Sequence, residues 1–281
     1  MIDFGFSNEY RGEGISEGLE RGLVVSYNDI NLVQEGMGLG ASAIKSKTST
    51  YFSRKSKLIK LADAHYIKEF YIDSELKWKI LPFKGEGTKT VNPITFFINK
   101  LTDFYKRAQV FQPNLLQMGI FSRNFFQVKP VLINTGYLGK MTFDYELDKK
   151  KIVINADFSD IIKRNGKYFT KICILNELGG DYFDSIKQGT KVSNPPSGWV
   201  KINSLQGKKL YSSNFGLTFI MDIIEKGPNC RLTFTLGREK ISNFCWAGFG
   251  IEVDVKSIKS EEDHSLKYRC EIHQDGGESN K

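Results

Sequence analysis

Several groups of residues in this 281-residue chain have types and spacings that chemistry could use. The first is Gly36-Met37-Gly38-Leu39-Gly40-Ala41, preceded by Glu35. It satisfies G-x-G-x-x-A, a relaxed dinucleotide fingerprint, and Asp63 stands roughly where that motif wants a ribose-binding acid. The fingerprint requires a helix directly after the glycines, whose N-terminus meets the pyrophosphate. Here SAIKSKTSTYFSRKS follows, rich in Ser, Thr and Lys and without an amphipathic helical stripe. The glycines therefore read as a bulge or close backbone packing within a strand. The alternative is a bare stretch of backbone approached by a ligand, with Gly36, Gly38 and Gly40 as its contacts.

The second group is carboxylates beside glycine: Glu13, Glu35 and Glu86. Two facing carboxylates can act as general acid and base on a glycosidic bond or a sugar carbon. Glu35 and Glu86 are the catalytic candidates of that kind. His65, on a strand-like run, is a third candidate able to move a proton near neutral pH.

The third group is basic. Lys45, Lys47, Arg54, Lys55, Lys57 and Lys60 occur with no acidic residue between Gly36 and Ala62. On one unbroken strand, Lys45, Lys47, Lys55 and Lys57 would share a face with Tyr51. Such a face could track a phosphate backbone or another polyanion. A hairpin turn near Thr48 would break it, and lysines on an exposed strand also discourage edge-to-edge pairing. The fourth group is Trp199, which follows Asn194-Pro195-Pro196-Ser197-Gly198, a loop by composition. An indole there can stack on a sugar ring, whereas Trp246 sits in a run that reads as core.

Other chemistries leave no mark. The three histidines, His65, His264 and His273, form no metal-binding pattern. The cysteines Cys173, Cys230, Cys245 and Cys270 form no C-x-x-C pair, so they read as buried thiols. There is no P-loop, nucleophile elbow or kinase signature. No metal and no cofactor are expected. No apolar run approaches the length of a membrane span, and MIDFGFSNEYRGEG lacks the features of a leader. The expectation is a cytoplasmic protein with no membrane partner. A net charge of +8 weakly favours anionic partners and says nothing of the fold.

The elements that must position these groups are mostly strands. Met141, Phe143, Tyr145 and Leu147 alternate with polar residues, as do Ile152, Ile154, Ala156 and Phe158. Phe215, Leu217, Phe219, Met221 and Ile223 place five large side chains on one face. Leu232, Phe234 and Leu236 read as their return strand after a turn at 225–229. Phe249, Ile251, Val253 and Val255 form the next. One helix is expected after Asn92-Pro93, within a helical insert at about 92–126.

The fold class predicted is mainly β, a large antiparallel β-sandwich with that short helical insert. It is read as a single β-rich domain over 1–281. The alternative is an N-terminal β subdomain over 1–90, a helical segment over 91–135 and a sandwich over 136–273, with 274–281 as a frayed tail. On such a scaffold the leading function is binding of a carbohydrate or similar small polar ligand. A sugar-active enzyme of epimerase, lyase or hydrolase type is the second reading. Polyanion or nucleic-acid binding through residues 45–60 is the third.

Overall fold

The computed structural model describes residues 1–6, 18–34, 36–80, 128–241 and 244–274. The chain divides into two compact units, Met1–Glu75 with Asn134–Lys281, and Leu76–Ile133. In the second unit the described residues are strand at its two ends. The helical insert expected at 92–126 lies outside the described residues.

Seventeen strands make up most of the described chain. The N-terminal group is β1 (Ile2–Gly5), β2 (Val24–Tyr27), β3 (Ile30–Asn31), β4 (Gly38–Lys45), β5 (Thr50–Ala62) and β6 (His65–Ile80). Then come β7 (Val128–Asp148), β8 (Lys151–Asp157), the short helix α1 (Ser159–Asn165) and β9 (Lys171–Gly179). Three short strands follow: β10 (Ser185–Gln188), β11 (Lys191–Ser193) and β12 (Val200–Ile202). The last are β13 (Lys208–Ser212), β14 (Leu217–Lys226), β15 (Leu232–Ile241), β16 (Phe244–Asp254) and β17 (Ser265–Gln274). Helix α1 had no counterpart in the sequence reading.

Strands β1 to β3 form a small sheet. The other fourteen form one sheet in the order β11-β10-β13-β14-β17-β8-β7-β6-β5-β4-β9-β16-β15-β12. In the first unit this sheet doubles back on itself, so β14, β17, β8 and β7 face β4, β9, β16 and β15. Phe219 on β14 meets Phe249 on β16 with ring centroids 5.6 Å apart. Tyr145 on β7 donates its hydroxyl to Gly40 O on β4 at 3.0 Å. The mainly β, antiparallel, sandwich-like fold that alternation predicted is therefore present. Met141, Phe143, Tyr145, Ile152, Ile154, Phe219, Phe249 and Ile251 are completely buried on its inner faces. Each such side chain contributes roughly 1.5–3 kcal/mol.

Turn chemistry is also local. Asn28 and Asp29 both take positive φ between β2 and β3, the conformation of a tight hairpin turn. Lys149 and Lys150 turn β7 into β8. Strand β3 is only two residues long, because Asn31 Oδ1 accepts from Val33 N at 2.9 Å and bends the chain.

One pairing differs from expectation. β15 is not the hairpin partner of β14. Both edges of β14 are occupied, by β13 and β17, and β15 instead pairs with β16 and β12. The connection Gly227–Arg231 thus crosses from one layer to the other. Asp263 holds that crossover: it accepts from Asn229 N at 2.8 Å, Lys259 N at 3.1 Å and Ser260 N at 3.2 Å. Burial works to raise its pKa, but these backbone donations outweigh burial and hold the carboxyl well below the usual range.

Candidate functional site

The register of β12-β15-β16-β9-β4 lines up side chains on the outward face of this layer. Lys201 stands opposite Thr235, and Thr235 opposite Gly250. Thr233 is opposite Glu252, and Asp254 opposite Lys171, which in turn is opposite Lys45. Their neighbours Leu236, Phe249, Ile251 and Val253 point into the core. Where this face meets the crossover, a groove of about 910 Å³ opens. Its walls carry five cations, Lys171, Lys201, Lys226, Arg231 and Lys256, against two acids, Glu252 and Asp254.

The acids are already engaged. Glu252 accepts from Lys45 Nζ at 2.7 Å and from Lys171 Nζ. Burial pushes its pKa up, but the two lysines prevail and hold it below the ordinary value. Asp254 Oδ1 accepts from Lys256 N at 3.1 Å. Lys226 Nζ donates to Cys230 O at 2.7 Å. The charged groups of Lys201, Arg231 and Lys256 have no acidic or hydrogen-bonded partner among the described residues. The groove therefore carries positive charge that the fold leaves uncompensated, the condition for attracting an anion. Cys230 also lines it, but burial raises that thiol to about 11, so it is not a thiolate nucleophile near neutral pH.

Trp199 lies on the same outward face, two residues before Lys201. Its ring stacks on Trp246 at 4.2 Å with planes 20° apart. It also lies over Gly250, where an added Cβ would come 3.4 Å from the indole. The preceding loop is anchored by Arg238 N donating to Pro196 O and Gly198 N donating to Arg238 O, both at 2.9 Å. Trp199 remains 36% exposed, two residues before the groove's Lys201.

The other sequence candidates are placed elsewhere. Gly36, Gly38 and Gly40 are buried. Gly38 and Gly40 have φ near +75° (76° and 73°), and β4 bulges against β9 between Leu39 and Ala41. Gly40 N donates to Asn176 Oδ1, and a Cβ at Gly40 would stand 2.8 Å from the Tyr145 hydroxyl. These glycines admit neighbouring protein to the backbone. No helix follows them, so the dinucleotide geometry is absent. Glu13, Glu35 and Glu86 lie outside the described residues. His65 opens β6 and shares a 2.7 Å hydrogen bond with Asp144, both half-exposed.

The basic run is split by a turn at Ser46–Ser49, so Lys45 ends β4 while Arg54, Lys55 and Lys57 lie on β5. Lys47 sits exposed in that turn. Tyr51 packs edge-on against Phe169 at 5.7 Å. Of the whole run, Lys45 alone approaches the groove, through Glu252.

Two features had no forecast. One is the meeting of Lys201, Arg231 and Lys256, which depends on the crossover between layers. The other is a buried polar cluster. Asn176 Oδ1 accepts from Gly40 N at 3.0 Å and from the Tyr268 hydroxyl at 3.1 Å, while its Nδ2 points to Met221 Sδ at 3.4 Å. Next to it, buried Glu177 accepts from Met37 N at 2.8 Å. Burial raises its pKa to about 7, against the opposing pull of that N–H.

No protein-family model matches this chain, and no curated protein matches it. A solved structure of a protein in glycosyl hydrolase family 38 from Enterococcus faecalis aligns with 89% of this chain and 28% of that one. The alignment has 8% sequence identity and a TM-score of 0.29. The chain thus spans under a third of that structure's length. A likeness at this level assigns neither fold nor activity. Among the described residues, no helix is long and apolar enough to cross a membrane, and no His, Cys, Asp and Glu group could hold a metal ion.

Proposed function

We propose that this chain is a binding protein for an anionic, polyhydroxylated ligand, with an acidic saccharide as the class that suits the groove best. One observation carries the reading: a groove of about 910 Å³ with five cations, three of them lacking any partner among the described residues. That volume lies within the range that encloses a drug-sized ligand. Lysine ammonium groups recognise carboxylate, sulfate or phosphate as point charges, and Arg231 adds a planar fork for two oxygens. Thr233 offers a hydroxyl for neutral ring positions. Trp199, near Lys201, offers its indole for stacking on a sugar. This reading joins the carbohydrate and polyanion expectations but moves the charges away from residues 45–60.

A thermal-shift panel tests it. Glucuronate, galacturonate, a hexose phosphate and the neutral parent sugars are each added at low and high salt. A ligand at about 100 times its Kd raises stability by roughly 2.7 kcal/mol, a readable increase in Tm. The acidic sugars should raise Tm at low salt and less at high salt, and Arg231→Glu should remove the effect. Equal shifts with neutral and acidic sugars, or an undiminished shift in Arg231→Glu, would refute the groove assignment.

A further inference from the structure

The groove does not stop at Arg231. A second hollow of about 450 Å³ shares Lys226, Cys230, Arg231, Asp254 and Lys256 with it and adds Lys259 on the far side of the crossover. The two hollows thus share five wall residues and lie side by side, together reaching from Lys201 to Lys259. Their walls carry six cations when Lys259 is counted with the five already named. The acids on them remain Glu252 and Asp254, and Glu252 is already clamped by Lys45 and Lys171. The backbone beneath them is fixed, because Asp263 accepts from Asn229 N, Lys259 N and Ser260 N. A third hollow of about 470 Å³ continues from Lys226 and Pro228, but it sets Glu225 and Glu262 against Lys267. The excess of positive charge therefore ends at Pro228.

We infer that the ligand is a linear acidic polysaccharide, with successive sugar units lying along a path from Lys201 to Lys259. The inference rests on the reading of the groove as an anion site. Length argues for a chain: the first hollow alone accommodates a drug-sized ligand, and the second adds about half as much volume again. Repetition of cations along the path matches repetition of acid groups along a polymer. The lining argues for a saccharide over single-stranded nucleic acid. Among the described residues Phe234 is the one aromatic in the walls of either hollow, and Trp199, near Lys201, is a single further ring outside them. Unstacked bases need a succession of such platforms, whereas hydroxylated rings can use Thr233 and Asn229 between the cations.

The test is calorimetric titration with size-defined oligogalacturonides from dimer to decamer, with a matched series of oligothymidylates alongside. Wild type, Lys201→Glu and Lys259→Glu are compared. Both side chains are exposed, and circular dichroism verifies that each variant is folded. Affinity of the wild type should rise about tenfold or more between dimer and hexamer as the second hollow is engaged. Lys259→Glu should abolish that rise and leave the dimer's affinity unchanged. Lys201→Glu should weaken every length.

If the dimer binds as tightly as the decamer, or if the gain with length survives Lys259→Glu, the polymer path is wrong while the groove remains an anion site. If no oligogalacturonide of any length binds, the groove reading falls and the inference with it. If oligothymidylates bind as tightly, with the same dependence on Lys259, the polymer class is wrong.

Discussion

Two polar clusters share β9, through Asn176 and Lys171, yet their groups are satisfied in opposite directions. In the cluster around Asn176, polar atoms answer one another across the two layers. The side chain joins β9 to the bulge of β4 through Gly40 and to β17 through Tyr268. The cluster is buried, where an unmatched polar atom costs about 1–3 kcal/mol, so pairing is close to obligatory. In the groove, Lys201, Arg231 and Lys256 face outward and find no partner among the described residues. Gathering like charges opposes stability, and nothing in the packing of the layer requires cations at these positions. The inner cluster fixes the register of the fold. The outer one leaves positive charge unmatched, which the proposed ligand would complete.

That contrast orders the expected effects of substitution. The largest should come from Asn176→Leu, which leaves Gly40 N and the Tyr268 hydroxyl without their acceptor inside the core. Urea denaturation should show a loss of roughly 3–5 kcal/mol, the sum of two unmatched donors and imperfect repacking. A loss below about 1 kcal/mol would mean that the cluster does not fix the register.

Glu177 comes next, through pH. Its folded pKa, near 7, lies above the unfolded value near 4.5. A carboxyl with a raised pKa contributes most below the unfolded value and progressively less as pH rises through the folded one. Between pH 4.5 and 8 the wild type should therefore lose roughly 3 kcal/mol through this group. Glu177→Gln keeps an acceptor for Met37 N and removes the titration. The variant should match the wild type at pH 4.5 and exceed it in stability at pH 8. Parallel stability profiles for the two proteins would contradict this account of Glu177.

A smaller effect is expected for Trp199→Ala. It removes a stacked ring pair and loosens the Pro196–Gly198 anchor, at a cost of about 1–2 kcal/mol by thermal denaturation. Weaker saccharide binding with unchanged salt dependence should accompany it. Smallest in stability is Lys201→Glu, within about 0.5 kcal/mol of the wild type because the residue is exposed and unpaired. Yet it should reduce affinity for an acidic sugar. If Lys201→Glu unfolded the protein, the cation would belong to the fold and the contrast between the clusters would fail.

Much of the architecture was legible because it is written in nearest neighbours. Alternation at 141–147 and 152–158 predicted two strands whose inner side chains are now found buried. The tight turn at Asn28-Asp29 is equally local, set by two residues that tolerate positive φ. The β14 to β15 pairing failed because a strong alternating pattern announces a strand, not its partner. The partner was decided by β13 and β17, remote in sequence, and by Asp263 pinning the crossover. The proposed site draws on the residue kinds the sequence singled out, basic and aromatic, but with its cations at other positions. The dense run at 45–60 drew attention because its charges are adjacent in sequence. Lys201, Arg231 and Lys256 are separated in sequence and become neighbours through strand register and the passage from one layer to the other. Trp199 could be singled out from its loop, whereas its support by Trp246 and Gly250 could not.

The central claim, that the groove is an anion-recognising ligand site, is tested most directly by titrating galacturonate oligomers into wild type and the Lys201→Glu/Arg231→Glu double variant at low and high salt. The account predicts saturable binding to the wild type that weakens as salt rises, and no measurable binding to a folded double variant. Binding that persists in the folded double variant, or that is indifferent to salt, would contradict it.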